Sequence, residues 1–304
     1  MAYKNREESK ELKMLRLLNA RMELTTQEKN RYLFMKKGFD GEVQFDQVLE
    51  RAGLDNRFYV LNDLLLKCDG TIFQIDSTLI TQHSIIPFEI KNSDGNYYYQ
   101  DNNFYSCKTK SEIKNPLHQL DRIQTMLRKL LRKNGFSLHV EGYVVFINPE
   151  FYLYQAPLDE PIVYFPQLNN FIKELNSKPD VLNDSHRKLA DFLLKEHITD
   201  FPIRDLPRYS WDSLRKGLMS ACCGSLAVNV SGSMMECLHC GTVESVESAV
   251  VRSVEEVRLL FPEIKITTSI IYEWCNKLYS KKVIRKILIK HFSLIGYGKW
   301  VYYE

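Results

Sequence analysis

The sequence predicts a mixed α/β protein that continues into two small C-terminal modules, one organised around cysteines and one rich in helix. Three observations predict this. Residues 58–92 hold strand-like runs rich in aliphatic and aromatic side chains. A strongly marked helix, NPLHQLDRIQTMLRKLLRKNG, and a strand of little polarity, SLHVEGYVVFINP, follow them, the order expected of a mixed sheet flanked by helices. Four of the seven cysteines then fall within residues 217–241, ahead of a basic, helical C-terminus.

Taken in order, residues 4–36 carry Lys, Arg, Glu and Leu at near-helical spacing, as in LKMLRLLNARMEL. The glycines of KKGFDG are expected to end this arm, and EVQFDQVLERAG to form a short helix opened by acid and closed by Gly53. RFYVLNDLLLK is a strand candidate, and FQIDSTLITQHSIIPFEIKN a hairpin. NSDGNYYYQDNNFYS combines turn signals with aromatic strand residues. Asn115 suits the N-cap of the long helix, Pro116 its first position and Gly135 its exit. After residue 168 helical patterns are broken by prolines. The expected organisation is an N-terminal helical arm (1–37), an α/β domain (38–175), a helical connector (176–216), a zinc-ribbon-like module (217–250) and a helix-turn-helix or winged-helix-like module (251–304). There is no internal repeat and no low-complexity segment.

Bulk properties narrow the function classes. The 304 residues are 44% hydrophobic and 26% charged, ordinary for a globular protein, with a net charge of only +3. Nucleic-acid binding would therefore need local clusters of positive charge. No stretch approaches the roughly 20 apolar residues of a membrane span. The start, MAYKNREESKELKML, is charged and lacks the apolar centre of a secretory signal. A reducing, cytoplasmic setting is expected, in which cysteines serve as thiols or metal ligands.

The hairpin poses the sharpest chemical question. With a two-residue turn at Gln82-His83, Thr81 opposes Ser84 and Asp76 opposes Glu89, while Glu89 and Lys91 share a face. Two carboxylates that close repel unless a cation sits between them, and hard oxygen donors favour Mg2+ or Mn2+. The same spacing also fits an exposed face with a Glu-Lys pair, and Pro87 is awkward in a central strand.

In SACCGSLAVNVSGSMMECLHCG, Cys237 and Cys240 form a C-x-x-C followed by Gly241, one half of a zinc knuckle. The other half is irregular: Cys222 and Cys223 are adjacent, and position 220 is Ser220. A structural Zn2+ held by Cys222 or Cys223 with Cys237 and Cys240, completed by the other cysteine, His239 or water, is expected; redox chemistry and buried free thiols remain the alternatives. Cys68, Cys107 and Cys275 read as small core residues. In the C-terminal segment Thr267 or Thr268 and Ser280 suit helix caps. Val283, Ile284, Ile287, Leu288 and His291 are expected to face inward. Lys281, Lys282, Arg285, Lys286 and Lys299 are candidates for contact with nucleic acid, with GYGKW as a wing; a solvated charged helix fits equally.

GFDGEVQFDQVL, YVLNDLLLKCDGTIFQIDSTLIT, PFEIKNSDGNYYY and NPLHQLDRIQTML, in that order, resemble the NERD family, the nuclease-related domain. That family is similar to the restriction-endonuclease-like group, marked by an Asp followed by (D/E)-x-K. The resemblance implies a restriction-endonuclease-like mixed sheet and metal-dependent hydrolysis of phosphodiesters in DNA. By it, Asp76 and Glu89 would be metal ligands, Glu42 would approach the metal from the side, Lys91 would be the catalytic lysine and Gln119 would touch the site or its water. Lys36, Lys37, Arg122, Arg128, Lys129, Arg132 and Lys133 would add positive charge for phosphates. The competing class is an inactive nuclease-like scaffold that binds DNA or a protein, and a third is a transcription regulator built on the C-terminal half.

Overall fold

The computed structural model describes residues 2–199, 201–203 and 205–304, with Lys299 described through its backbone alone. The chain forms two compact units. One comprises Met1–Glu7 and Met35–Pro202, the other Glu8–Phe34 and Ile203–Glu304. The helices run in the order α1 (Lys10–Arg21), α2 (Thr26–Arg51), α3 (Leu54–Arg57), α4 (Pro116–Lys133), α5 (Leu168–Ser177), α6 (Asp184–Glu196), α7 (Val246–Leu260), α8 (Thr268–Trp274) and α9 (Lys281–His291). No helix among the described residues is long and apolar enough to cross a membrane.

The first unit is built on a mixed sheet. Its strands are β1 (Tyr59–Cys68), β2 (Thr71–Ile80), β3 (Ser84–Lys91), β7 (His139–Val140), β8 (Tyr143–Phe146) and β10 (Ile162–Tyr164). β1, β2 and β3 pair antiparallel, and β3 pairs parallel with β7 and β8, then β8 with β10. A smaller sheet joins β6 (Glu112–Ile113), β5 (Asn103–Ser106), β4 (Gly95–Gln100) and β9 (Phe151–Tyr154). Apolar side chains cover both faces of the main sheet. Phe45 and Leu49 of α2 pack with Phe88, Ile90, Val145 and, from α5, Phe171 on one side. Ile123 and Leu127 of α4 and Leu189 of α6 pack with Leu64, Ile75 and Ile85 on the other. This is the helix-flanked mixed sheet that the sequence predicts.

Several local expectations hold and two do not. The Asn115 side chain accepts the Leu117 amide at 2.9 Å, Pro116 occupies the first turn of α4 and Gly135 leaves it at φ +77°. The two glycines of KKGFDG, expected to break the arm, instead lie inside the continuous α2. The chain breaks earlier, at Thr25, whose side chain and amide exchange hydrogen bonds with Glu28 to start α2. Gly41 has a packing role: a Cβ there would come within 2.4 Å of the Asn92 Cβ, so the helix can lie against the end of β3 only without a side chain. The apolar run 137–149, expected as one strand, is interrupted between β7 and β8 at Glu141-Gly142. The interruption lies beside Pro87, which has no amide hydrogen to donate. A Cβ on Gly142 would lie 2.9 Å from the Pro87 carbonyl. On the β2 side, Pro87 faces Thr78 at a position where the ladder requires no bond, because the Thr81 amide bonds the Ser84 carbonyl and the pattern alternates from there.

The second unit has one core. Met14, Leu17 and Leu18 of α1, Val250, Val254 and Val257 of α7, Ile271 and Trp274 of α8, and Ile284 and Leu288 of α9 bury together with Leu218, Met219 and Met235. A three-stranded sheet of β11 (Val228–Ser231), β12 (Met234–Cys237) and β13 (Val243–Ser245) carries the cysteines, and a hairpin of β14 (Leu294–Ile295) and β15 (Tyr302–Tyr303) follows α9. Arg21 is wholly buried here, ion-paired to Glu256, stacked 4.3 Å from the Trp274 ring centroid and bonded to the carbonyls of Arg215 and Gly217. Thus the arm, the cysteine segment and the C-terminal helices share hydrophobic contacts rather than packing separately.

Candidate active site

The hairpin has the register its turn dictates. Thr81 and Ser84 close it through backbone and side-chain hydrogen bonds, and Ser77 pairs with Phe88. The β2–β3 ladder ends there. One step further, the alternation calls for an Ile75–Ile90 bond, but the Ile90 amide donates to Asp76 Oδ2 at 2.8 Å instead. The carboxylate therefore stands in for a strand, and the two strands part at this point. Asp63, facing Asp76 from β1, is held at φ +52°, a left-handed backbone in the middle of a strand. Backbone strain of this kind persists only where surrounding structure enforces it.

Glu89 lies on β3 and is buried, at 4% exposure. Its Oε1 is 2.6 Å from the Lys91 Nζ. Glu89 and Lys91 pair in register with Val144 and Phe146 of β8. Those two residues pack against Leu117 and Leu120 in the first turns of α4. Gln119 belongs to the same turns, and its Oε1 is buried without a hydrogen-bond partner. A buried amide oxygen left unpaired is costly unless water or a ligand group completes it.

On α2, Glu42 is in mid-helix, not at a helix start. Asp46 lies one turn further along the same face. Both carboxylates bind Arg6. Its guanidinium donates from Nη1 to Glu42 Oε2 at 2.6 Å, from Nε to Asp46 Oδ2 at 2.7 Å and from Nη2 to the Asp76 carbonyl at 2.7 Å. Arg6 arrives because residues 3 and 4 run beside β1: the Tyr3 and Lys4 amides bond the Val60 carbonyl, and the Asn62 amide bonds Lys4. Lys4 Nζ donates to the carbonyls of Asn62 and Asp63, next to the strained residue.

The electrostatics are those of carboxylates crowded away from water. Burial raises Glu42 to about 7, and Asp63, Asp46 and Glu89 add to the rise while Arg6 opposes it. Burial raises Asp46 as well. Asp76 is raised well above its ordinary value, first by burial and then by the charges of Glu89 and Glu42. Arg6, Lys91 and Lys4 together do not neutralise the five acids Glu42, Asp46, Asp63, Asp76 and Glu89. That deficit, hard oxygen donors on adjacent strands and the orphaned Gln119 oxygen fit a divalent cation at Asp76 and Glu89. Glu42 is not brought into a three-carboxylate cage. Among the described residues, no set of three His, Cys, Asp or Glu donors lies within 4.8 Å of one another except Cys223, Cys237 and Cys240. The physical reason is the ion pair that draws Glu42 to Arg6.

Residues 37–147 match the model of the NERD family, the nuclease-related domain. The matched segment lies wholly in the first unit and covers less than half the chain. It contains Glu42, Asp76, Glu89, Lys91 and Gln119. No curated protein and no solved structure matches the chain. The matched segment also includes the basic residues expected to attract phosphate, apart from Lys36 just before it, and most have local partners. Lys129 and Lys133 flank Asp69, Lys37 pairs with Asp94, and Arg128 donates to the Val140 carbonyl.

Arg6 and Asp46 escaped the sequence reading. Asp46 was accessible, four residues from Glu42 on one helix. Arg6 was not, because its place depends on a pairing between the chain start and β1, some 55 residues on.

In the second unit the sulfurs of Cys223, Cys237 and Cys240 converge within 4.8 Å, with Cys223 and Cys237 3.5 Å apart. Cys222 and His239 fall outside that set, and both are exposed. The Thr242 hydroxyl, 3.3 Å from its sulfur, and the Thr242 amide lower Cys240 to about 5. The Cys240 amide likewise lowers Cys237. Thiols so stabilised as thiolates are ready metal ligands. Further on, Thr267 and Ser280 cap α8 and α9. Val283 and His291 of α9 do not face inward: Val283 is exposed and His291 pairs with Glu247 at 2.6 Å. Only Ile284, Ile287 and Leu288 fill the contact with α7 and α8. Lys282, Arg285 and Lys286 are exposed, while Lys281 lies over the Tyr272 ring at 5.3 Å. The Lys299 side chain lies outside the described residues.

Proposed function

We propose that the chain is a Mg2+- or Mn2+-dependent nuclease that hydrolyses phosphodiester bonds in DNA. The observation that carries this is the parting of β2 and β3 at Asp76, beside the buried Glu89-Lys91 pair, inside a nuclease-related domain. Asp76 and Glu89 would hold the ion. Bound there, it would polarise a phosphate oxygen and lower the pKa of a water. Lys91, fixed by Glu89, is positioned to orient that water or to stabilise negative charge growing on the phosphate. Gln119 would accept a hydrogen bond from the attacking water through its orphaned oxygen. Arg6 partly offsets the burial of Glu42 and Asp46 behind the site and ties them to the Asp76 backbone. Glu42 would act through Arg6 or through a water rather than as a direct ligand.

The cysteine module would hold Zn2+ as a structural ion, because three converging thiolates suit a borderline-soft cation. The α7–α9 helices with the β14–β15 hairpin have the order of a winged helix. Lys282, Arg285 and Lys286 on the open face of α9 would contact DNA phosphates or base edges. Lys281 would add charge at the edge of that face.

A second reading is favoured by Arg6, which already supplies a positive charge to Glu42 and Asp46: a nuclease-like domain that binds DNA or a partner without cutting. Plasmid and single-stranded DNA, incubated with wild type and Glu89→Gln in Mg2+ or Mn2+, separate the two. Metal-dependent cutting by wild type and none by the variant supports the nuclease. Equal cutting by both rejects the assigned site, and DNA binding without cutting in either metal supports the scaffold.

A further inference from the structure

The cysteine module has two knuckles of the same build, and only one of them has cysteine at both its leading and its closing position. In the second, Cys237 and Cys240 are followed by Gly241 at φ +70°, whose amide bonds the Cys237 carbonyl at 2.9 Å. In the first, Ser220 and Cys223 are followed by Gly224 at φ +72°, whose amide bonds the Ser220 carbonyl at 3.0 Å. Ser220 therefore stands where Cys237 stands, and Cys223 where Cys240 stands. The amides repeat the match. Cys237 receives the amide two residues on, from His239, and Ser220 Oγ receives the amide two residues on, from Cys222, at 3.3 Å. Cys223 and Cys240 receive those of Ser225 and Thr242.

We infer that Ser220, and not the adjacent Cys222, is the fourth ligand of a three-thiolate zinc site made with Cys223, Cys237 and Cys240. The inference rests on the reading that this cluster binds zinc. Distances agree with it. A tetrahedral ion with Zn–S near 2.3 Å and Zn–O near 2.0 Å sets sulfurs about 3.8 Å apart and a sulfur and oxygen about 3.5 Å apart. Cys223 and Cys237 are 3.5 Å apart, and Ser220 Oγ lies 3.7 Å from the Cys240 sulfur. Ser220 is also buried, at 2% exposure, which is where a hydroxyl needs a partner. The Cys222 sulfur, by contrast, is not among the converging set.

The ligand set has a chemical consequence. Three thiolates and a neutral hydroxyl leave the zinc site one negative charge lighter than four thiolates would, and the hydroxyl is the weakest ligand. The fourth position is therefore the one at which water or an exchanging ligand enters, while the three sulfurs keep the two knuckles joined to β12.

Cobalt substitution of the full chain tests this, because the near-ultraviolet thiolate-to-cobalt band scales with the number of bound sulfurs. Wild type and Cys222→Ser should show the same band strength per bound cobalt and the same affinity. Ser220→Cys should raise the band by about one third, three sulfurs becoming four, and bind cobalt and zinc about tenfold more tightly or better. A band weakened by Cys222→Ser, or unchanged in a Ser220→Cys protein that binds cobalt, overturns the assignment of Ser220. Failure of wild type to bind cobalt or zinc at all overturns instead the metal reading on which it rests.

Discussion

Replacing Glu42 with Gln should stabilise the protein in a chelator at pH 8, although it removes an ion pair. Glu42 titrates at about 7 in the folded chain against an ordinary value of 4.5. The sign follows from proton counting. Between pH 4.5 and 7 the folded state holds a proton that the unfolded state has released, so stability falls as pH rises through that window and stays low above it. At about 1.36 kcal/mol per unit, the ionised carboxylate costs the fold about 3 kcal/mol at pH 8. The benefit of Arg6 is already inside that figure, and Arg6 keeps Asp46 in the variant. A glutamine side chain cannot ionise, so the Glu42→Gln variant should exceed wild type by up to about 3 kcal/mol at pH 8 and by little near pH 5. Urea denaturation in EDTA at both pH values, followed by tyrosine and tryptophan fluorescence, measures this. A wild-type profile flat between pH 5 and 8, or a Glu42→Gln variant less stable at pH 8, would refute the picture of an under-neutralised acidic group.

Two further substitutions probe the packing inside each unit. Gly41→Ala should destabilise the first unit and weaken any metal-dependent cutting, even though alanine favours helix by about 1 kcal/mol, because the new Cβ would meet Asn92 at 2.4 Å; a thermal midpoint at or above wild type would contradict this. Arg21→Met should cost the second unit about 3–5 kcal/mol by stranding Glu256 in the core, and adding Glu256→Gln should recover much of the loss. A single variant as stable as wild type in urea would show that the buried pair is not what holds α1 to α7.

Much of the first unit was legible because local chemistry and tertiary packing agree there. Thr81 and Ser84 around a two-residue turn fix the hairpin register as far as Ser77 and Phe88, beyond which the strands part at Asp76. Asn115, Pro116 and Gly135 mark the ends of α4 without help from the rest of the fold. The glycines of α2 misled because helix propensity is weak, about 1 kcal/mol per glycine, and at Gly41 the need for a bare surface against Asn92 outweighs it. Glu42 and Asp46 were already four residues apart within the helix read at EVQFDQVLERAG. The break between β7 and β8 answers to Pro87 on the neighbouring strand, a long-range cause invisible in the run itself. In α9 the expected inward face was one position too broad at each end, since three apolar residues suffice to fill the contact with α7 and α8. At the cysteines, attention to residue type obscured spacing. The pattern 220–223 repeats 237–240 with serine in the leading place, whereas Cys222 has the right chemistry at the wrong step.

The account depends on Asp76 and Glu89 jointly holding a divalent cation, and a calorimetric titration of Mn2+ into the full chain tests this most directly. Wild type should bind one Mn2+ outside the cysteine module, with protons released near pH 7 as raised carboxyls lose them. Asp76→Asn and Glu89→Gln should each abolish that binding while leaving zinc content unchanged. Mn2+ binding of wild-type strength in both variants would contradict the account.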